Sequence, residues 1–303
     1  MTNVATRIIR NQLSRVPLLR MIRDSLARPL EKYYDLSYNI GVCRHHLLAV
    51  RKHGSKAPAG QVIVEIGPGG NLGNAVILVA LGAKRVYCVD NYRHIDFQSQ
   101  RVAFYRKLTS GLLDDPGFLA LCDRFLIDRD TARARLRDAI AVVGDLVELN
   151  SDKIQYIAPC NAENIPLESA SVDLLFSHAV LEHVRSPRDV CGEFGRVAKA
   201  GAYTSHVIDL RDHFDPTGLD MLRYSSRLWD FMASNSHGYV NRCRAVQFES
   251  IFNGAGFELP ELEVTALLDD IGRLPKQIAE TFSNLSVDQL RVLGLSLVGI
   301  RAG

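Results

Sequence analysis

Four groups of residues in this chain have the types and spacing for chemistry. The first is Glu65-Ile66-Gly67-Pro68-Gly69-Gly70, an acid followed by a glycine turn. Glycines let backbone approach a ligand closely, and a helix starting after them offers free N–H groups. A dinucleotide fingerprint would need its third glycine where Leu72 stands, which disfavours a nicotinamide-dependent reductase. A nucleoside-triphosphate loop would need a Gly-Lys-Ser/Thr ending, which is absent. The second group is Asp90, placed 25 residues after Glu65. An acid there, ending the second strand of a βαβ unit, can accept hydrogen bonds from both hydroxyls of a ribose. The third is Asn161-Ala162-Glu163, where a polar side chain and backbone N–H groups can read the edge of an adenine. The plainer alternative there is a capped turn. The fourth is Ser177-His178-Ala179-Val180-Leu181-Glu182-His183-Val184.

Alternating elements must position these groups. Residues 61–66 read as a buried strand, Asn74 to Leu81 as a buried helix ended by Gly82, and Lys84 to Asp90 as a second strand. Strand, glycine turn, helix and strand make one βαβ unit with parallel strands and a right-handed crossover. Residues 91–150 are too long for a usual crossover. Their helical patterns, Phe97 to Leu113, Pro116 to Leu126 and Asp130 to Leu149, predict an insertion of about two extra helices. Further strands are expected at Lys153–Ala158, Val172–Ser177, Ala202–Asp209, Glu258–Leu267 and Val292–Arg301. Helices are expected at Pro187–Lys199 and Ala245–Phe257, with another starting at Ser286 as its N-cap. The pattern predicts an α/β fold, a three-layer doubly wound sheet, mostly parallel, with helical insertions. In such sheets ligands sit beyond the carboxyl ends of the strands, which places the chemistry just after Ile66, Asp90, Ala158, Ser177 and Asp209.

Composition narrows the classes. The chain has 303 residues, 47% hydrophobic and 23% charged, which argues against disordered and fibrous proteins. Thirty-six basic against 34 acidic residues give a net charge of +2, so nothing global favours nucleic acid. No run of about eighteen apolar residues suggests a membrane span. Six scattered cysteines without a CxxC pair read as free thiols, and the protein is read as cytoplasmic. Residues 1–30 carry six arginines and one acid, with apolar residues at roughly helical spacing. That is either a targeting or membrane-touching helix or a basic amphipathic helix that caps the domain. It could also pair with a second copy in a homodimer. The expected division is an N-terminal helical segment at 1–60 and a catalytic domain at 61–303, with a helical insertion at 91–150 and a substrate cap at 211–250.

Taken together, the four groups resemble a class I S-adenosylmethionine-dependent methyltransferase. The matching residues are Val64-Glu65-Ile66-Gly67-Pro68-Gly69, Val89-Asp90, Ala162-Glu163-Asn164-Ile165-Pro166, and Val172-Asp173 through Leu181-Glu182-His183-Val184. Their order and spacing match over roughly residues 60–210, and the final strand fits the family's terminal antiparallel hairpin, for seven strands in all. The resemblance implies S-adenosylmethionine as cofactor. Gly67 and Gly69 would pass under its methionine part, and Glu65 would orient its amino group through backbone or water. Asp90 would hold the ribose, and Asn161, Ala162 and Glu163 would meet the adenine. His178 would lie near the sulfonium or the acceptor. Asn71 stands where the family often has a third glycine, and Asn161 where it often has Asp. A weaker resemblance, through Ile208-Asp209-Leu210-Arg211-Asp212-His213-Phe214, is to bacterial methyltransferases of surface-sugar and secondary-metabolite pathways.

Methyl transfer to a hydroxyl or amine of a small polar acceptor needs in-line alignment and, for an alcohol, a base. His213 is favoured as that base, then His178, with Asp209 beside them; His206, three residues before Asp209, reads as a core residue and His183 as a lock between helix and sheet. Tyr224, Trp229, Asn241 and Arg242, in a segment that also holds Phe231, Asn235, His237, Tyr239 and Arg244, suit a polar ring-shaped substrate or form a cap's own small core. His206, Asp209, Asp212 and His213 lack a supporting second cluster, so no metal is expected. Two alternatives remain: an RNA adenine dimethylase, which should carry Asn-Pro-Pro-Tyr/Phe where Ser177-His178-Ala179-Val180 stands, and a non-catalytic cofactor-binding partner subunit.

Overall fold

The computed structural model describes residues 4–13, 34–93, 95, 99–215, 218–234 and 239–303. Residues 14–30 of the basic segment 1–30, the start of the helix expected from Phe97, and Asn235 and His237 lie outside them.

Seven strands form one sheet: β1 (Val62–Ile66), β2 (Arg85–Val89), β5 (Ile154–Ile157), β6 (Val172–His178), β7 (Ala198–Asp209), β8 (Phe257–Leu267) and β9 (Val292–Arg301). Their spatial order is β5-β2-β1-β6-β7-β9-β8. β9 runs antiparallel to both of its neighbours, and the other pairs are parallel. The sheet is therefore mostly parallel and doubly wound, with an antiparallel last strand. Strand order reverses between β1 and β6, which opens a crevice at the carboxyl ends of the strands.

Helices cover both faces. On one side lie α2 (Leu36–Lys52), α3 (Gly73–Ala80), α4 (Ser99–Gly111), α5 (Pro116–Phe125) and α6 (Arg129–Ala139); on the other lie α7 (Pro187–Val197) and α9 (Ala245–Gly254). α3 is buried along its whole length, as its unbroken apolar run requires. α5 and α7 begin alike: Asp115 and Ser186 cap backbone amides with their side chains, and a proline follows at the first helical position. The N-cap at Ser286 also forms, heading α10 (Val287–Leu290) with a reciprocal bond from Gln289.

The insertion differs from expectation in its last third. The helix read over Asp130–Leu149 stops at Ala139 and gives way to a hairpin, β3 (Ile140–Val143) against β4 (Leu146–Leu149). Gly144, at φ +58°, and Asp145 make its turn. Four β-branched residues, Ile140, Val142, Val143 and Val147, favour extended backbone there over the helical period. The insertion thus holds three helices and a hairpin.

The segment expected to be irregular contains α8 (Ser226–Ala233) and a separate small core of Leu219, Met221, Leu222, Trp229, Met232 and Phe282. α1 (Val4–Leu13) packs on α8. Its Arg7 is almost wholly buried, 3.3 Å from Asp212 and 3.9 Å from Asp220, with its guanidinium over the Phe214 ring. Within the described residues the basic N-terminus is a lid on this cap. No described helix is long and apolar enough to cross a membrane, and all six cysteines are free thiols.

Removing one partner of a buried pair leaves an uncompensated charge, at a cost of about 3 kcal/mol or more. Arg7→Ala should therefore lower unfolding free energy by about that amount in urea titrations. The double variant Arg7→Met with Asp212→Leu should recover much of the loss.

Candidate active site

The turn after β1 is built for close passage. Gly67 sits at φ +68°, and a Cβ there would meet a Val180 methyl at 2.6 Å. Gly69 sits at φ +73° with open space where a Cβ would project. The Gly67 amide donates to the Val89 carbonyl at 2.8 Å, which joins this turn to the end of β2. Asn71, standing where a third glycine was expected, uses its side-chain oxygen to accept from the Gly73 amide at 2.7 Å and so caps α3. Tyr105, on α4, accepts from the Leu72 amide at 2.9 Å.

A cavity of about 400 Å³ opens above this turn. Gly67, Gly69, Asp90, Asn161, Ala162 and Glu163 all line it, at the ends of β1, β2 and β5. Asp90 is mostly buried, and its Oδ1 accepts from the Tyr92 amide at 3.1 Å. Asn161 turns its oxygen back to the Glu163 amide at 3.1 Å, so its side-chain amide group is left for the cavity. The far wall comes from the turn after β6: Ala179, Val180, His183, Val184 and Arg185, joined by Tyr239 from the cap. Ala179 holds φ at +55°, an uncommon conformation for a residue with a Cβ, and the chain bends there into that wall. A narrow cleft with glycine on its floor, a buried acid at the end of β2 and amides at the end of β5 fits an adenosyl ligand with a methionine tail.

Several expected site residues are elsewhere. Glu65 does not line the cavity: it points under the turn, where its Oε1 accepts from the Asn74 side-chain Nδ2 at 2.7 Å. Burial pushes its carboxyl up to about 7, against the pull of Asn74. His178 is likewise not on the wall. It shares a sheet face with Phe176 and turns towards α2, its Nδ1 3.4 Å from His46 and its ring edge-on to Tyr38. His206 is a core residue, between the hydroxyls of Ser177 and Thr204 and stacked on Phe194. Asp212 is spent on Arg7 and the Phe214 amide.

The four residues expected to bind substrate serve the cap instead. Trp229 is buried and donates to the Val240 carbonyl at 2.9 Å, and Tyr224 stacks against it. Arg242 donates to the carbonyls of Met221 and Tyr224 at 3.1 and 2.6 Å. Asn241 donates to the Leu181 and Val184 carbonyls at 2.7 and 3.2 Å, so it clasps the cavity wall from behind. Aromatic and amide side chains satisfy each other inside a small core as readily as they line a pocket, and composition does not distinguish the two.

Sequence reasoning undervalued His183. It lines the cavity, and its Nδ1 lies 2.7 Å from the Tyr239 carbonyl. Burial lowers its pKa, leaving a neutral imidazole at pH 7. The His213 ring packs edge-on against it, centroids 4.9 Å apart, and its Nε2 lies 3.6 Å from Asp209. Burial raises the Asp209 pKa, but His213 and Arg211 outweigh that and hold the carboxyl well below the usual range. Glu182 is buried beside them, and burial pushes its carboxyl up to about 8. The signal was the position of Glu182-His183 directly past a strand's carboxyl end.

Three substitutions probe this geometry. Glu65 holds its proton more tightly folded than unfolded, so its contribution to stability is complete below about pH 4.5 and is lost as pH rises to about 7. Glu65→Gln should flatten the stability–pH profile in that window, by roughly 1.4 kcal/mol per pH unit in urea titrations. Gly67→Ala should lose both stability and ligand binding, since strain and the Val180 clash act together; Gly69→Ala should cost only about 1 kcal/mol in stability while weakening ligand binding.

The sequence matches the family described as Methyltransferase domain over residues 130–205, a stretch holding β5, β6, the Asn161 turn and Glu182-His183. No match is found among the curated proteins. Among solved structures, the chain resembles an S-adenosylmethionine-dependent methyltransferase from Mesorhizobium loti at 15% identity, covering 84% of this chain and 96% of that one, with a TM-score of 0.43. It also resembles phosphoethanolamine N-methyltransferase 2 of Haemonchus contortus, at 16% identity, 86% and 53% coverage and a TM-score of 0.47. A third is a chain of the complex between the Haloferax volcanii Trm112 methyltransferase activator and a methyltransferase, at 14% identity, 88% and 94% coverage and a TM-score of 0.42. The family match over residues 130–205, the strand order and a cavity walled by the β1, β2, β5 and β6 ends support a class I S-adenosylmethionine-dependent methyltransferase.

Proposed function

We propose that this enzyme methylates a hydroxyl or amine of a small polar acceptor, and that the acceptor's proton leaves on the His213–Asp209 side of the cavity. One observation carries the reading. The cavity that Gly67, Gly69, Asp90 and Asn161 line at one end is closed at the other by His183, with His213 and Asp209 directly behind it. The cofactor supplies a methyl group already activated on a sulfonium. The chain then has to bind, orient, exclude water and manage one proton.

Asp90 receives the ribose hydroxyls, and the Asn161 side chain with the Ala162 amide meets the adenine edge. Gly67 and Gly69 give the methionine tail room. Asp209 holds the His213 imidazole and balances the charge it gains if it takes the proton. Arg185, over the Tyr239 ring at 3.7 Å, forms the rim on the acceptor side. Tyr239 from the cap and Asn91 and Tyr92 at the start of the insertion line this mouth, and acceptor selection is assigned to those segments. Ala179-Val180 carries no aromatic where an RNA adenine dimethylase would stack a flipped base, so a free small molecule fits better than RNA.

Thermal melts with S-adenosylhomocysteine, NADH and NADPH test the cofactor half. At 100 times its dissociation constant the homocysteine product should add about 2.7 kcal/mol, and the nicotinamides nothing. Asp90→Ala should abolish that shift. For the transfer half, the enzyme is incubated with methyl-labelled cofactor and a metabolite extract, and labelled products are read by mass spectrometry. His213→Ala should retain the melting shift and lose at least tenfold in label transfer. Full transfer by that variant would remove His213 from the reaction, and no transfer by the wild type to any acceptor would favour a non-catalytic subunit.

A further inference from the structure

The geometry points to a divalent-cation site formed by Glu182, His183 and His213 at the acceptor end of the cavity. One ligand-capable atom from each of the three lies within 4.8 Å of the others. Both Glu182 carboxylate oxygens are buried without a hydrogen-bond partner, on a side chain only 1% exposed. The shortest approach from His183 Nε2 to Glu182 is 4.0 Å, too long for a shared proton.

The chemistry of the donors fits a metal. The Tyr239 carbonyl, 2.7 Å from His183 Nδ1, fixes the proton on that nitrogen and leaves the Nε2 lone pair directed at Glu182. The His213 ring packs 4.9 Å from that of His183, and Asp209, 3.6 Å from its Nε2, can steady it once the other nitrogen binds a cation. Arg211, whose charge reaches Glu182, is committed to Asp209 through bonds of 2.8 and 2.6 Å and makes no hydrogen bond to Glu182. A buried carboxyl group facing two imidazoles, with no hydrogen bond among the three, leaves polar atoms unsatisfied, and a bound cation relieves that.

Two imidazoles and one carboxylate suit first-row divalent ions such as Mn²⁺, Co²⁺, Fe²⁺ or Zn²⁺. An ion about 2.1 Å from each ligand needs the three atoms to close by roughly an ångström, which side-chain rotation supplies. Three protein ligands leave further positions open, and His183 places them on the cavity. This deepens the methyl-transfer reading and rests on it only for purpose. An acceptor hydroxyl oriented by the cation loses its proton more readily, so the imidazoles act by holding the ion. Asn241 serves as a positioning residue, since it fixes the carbonyls on either side of Glu182-His183.

The test uses the full chain stripped with EDTA. Mn²⁺ is followed by its electron paramagnetic resonance and Co²⁺ by visible absorption, with S-adenosylhomocysteine melts run in parallel. One equivalent of ion should bind, with Co²⁺ bands of nitrogen and oxygen ligation. Glu182→Gln and His213→Ala should each weaken binding at least tenfold while keeping the homocysteine-induced melting shift, which also reports that they fold. Asp90→Ala should lose that shift and keep the ion. Absence of stoichiometric Mn²⁺, Co²⁺ and Zn²⁺ binding at millimolar concentration, or binding that both ligand variants leave intact, overturns the site. Ion binding without any homocysteine shift in the wild type would instead sink the methyl-transfer reading and leave the site standing.

Discussion

The carboxyl edge of this sheet depends on how closely two turns can pass. The turn leaving β1 runs beside the turn leaving β6, and at Gly67 there is no volume for a Cβ because Val180 already fills it. The left-handed backbone at Gly67, Gly69 and Ala179 is what this passage demands. With a side chain at Gly67 the two turns separate, the floor of the cavity rises, and Asp90 and Asn161 no longer face one ligand together. The reversal of strand order opens the crevice; the missing Cβ gives it a shape.

A second layer of structure holds that shape from outside. Glu65 and Asn74 lock the underside of the glycine turn, and Tyr105 supports its amides from the insertion. Asn241 supports the opposite wall from the cap. The cap in turn is sealed by α1, through Arg7 and Asp212. Residues far apart in the chain therefore act on one cavity through short chains of hydrogen bonds, and the first helix reaches the site through the cap.

Much of this was legible in the sequence. Gly67, Gly69, Asp90 and Asn161 could be placed because each follows a strand that its own residues declare, and a parallel sheet brings strand ends together. The alternation of elements gave the layers for the same reason. What escaped notice depends on side-chain direction and partner. His178 and His183 sit five residues apart in one motif, yet one turns towards α2 and the other into the cavity; only the bend at Ala179 decides that. Trp229 and Arg242 look like a binding surface until their partners, Val240, Met221 and Tyr224, are known to lie within reach. The hairpin at 140–149 was hidden by a helical pattern continuous with α6, which the β-branched run then broke.

The clasp at Asn241 has a mechanical meaning. Its side chain grips the carbonyls of Leu181 and Val184, and its backbone amide takes the carbonyl of Glu182. Three handles on one short turn make that turn and the cap travel as a unit. Any change that shifts the cap therefore carries this wall of the cavity along with it, and the two keep their alignment.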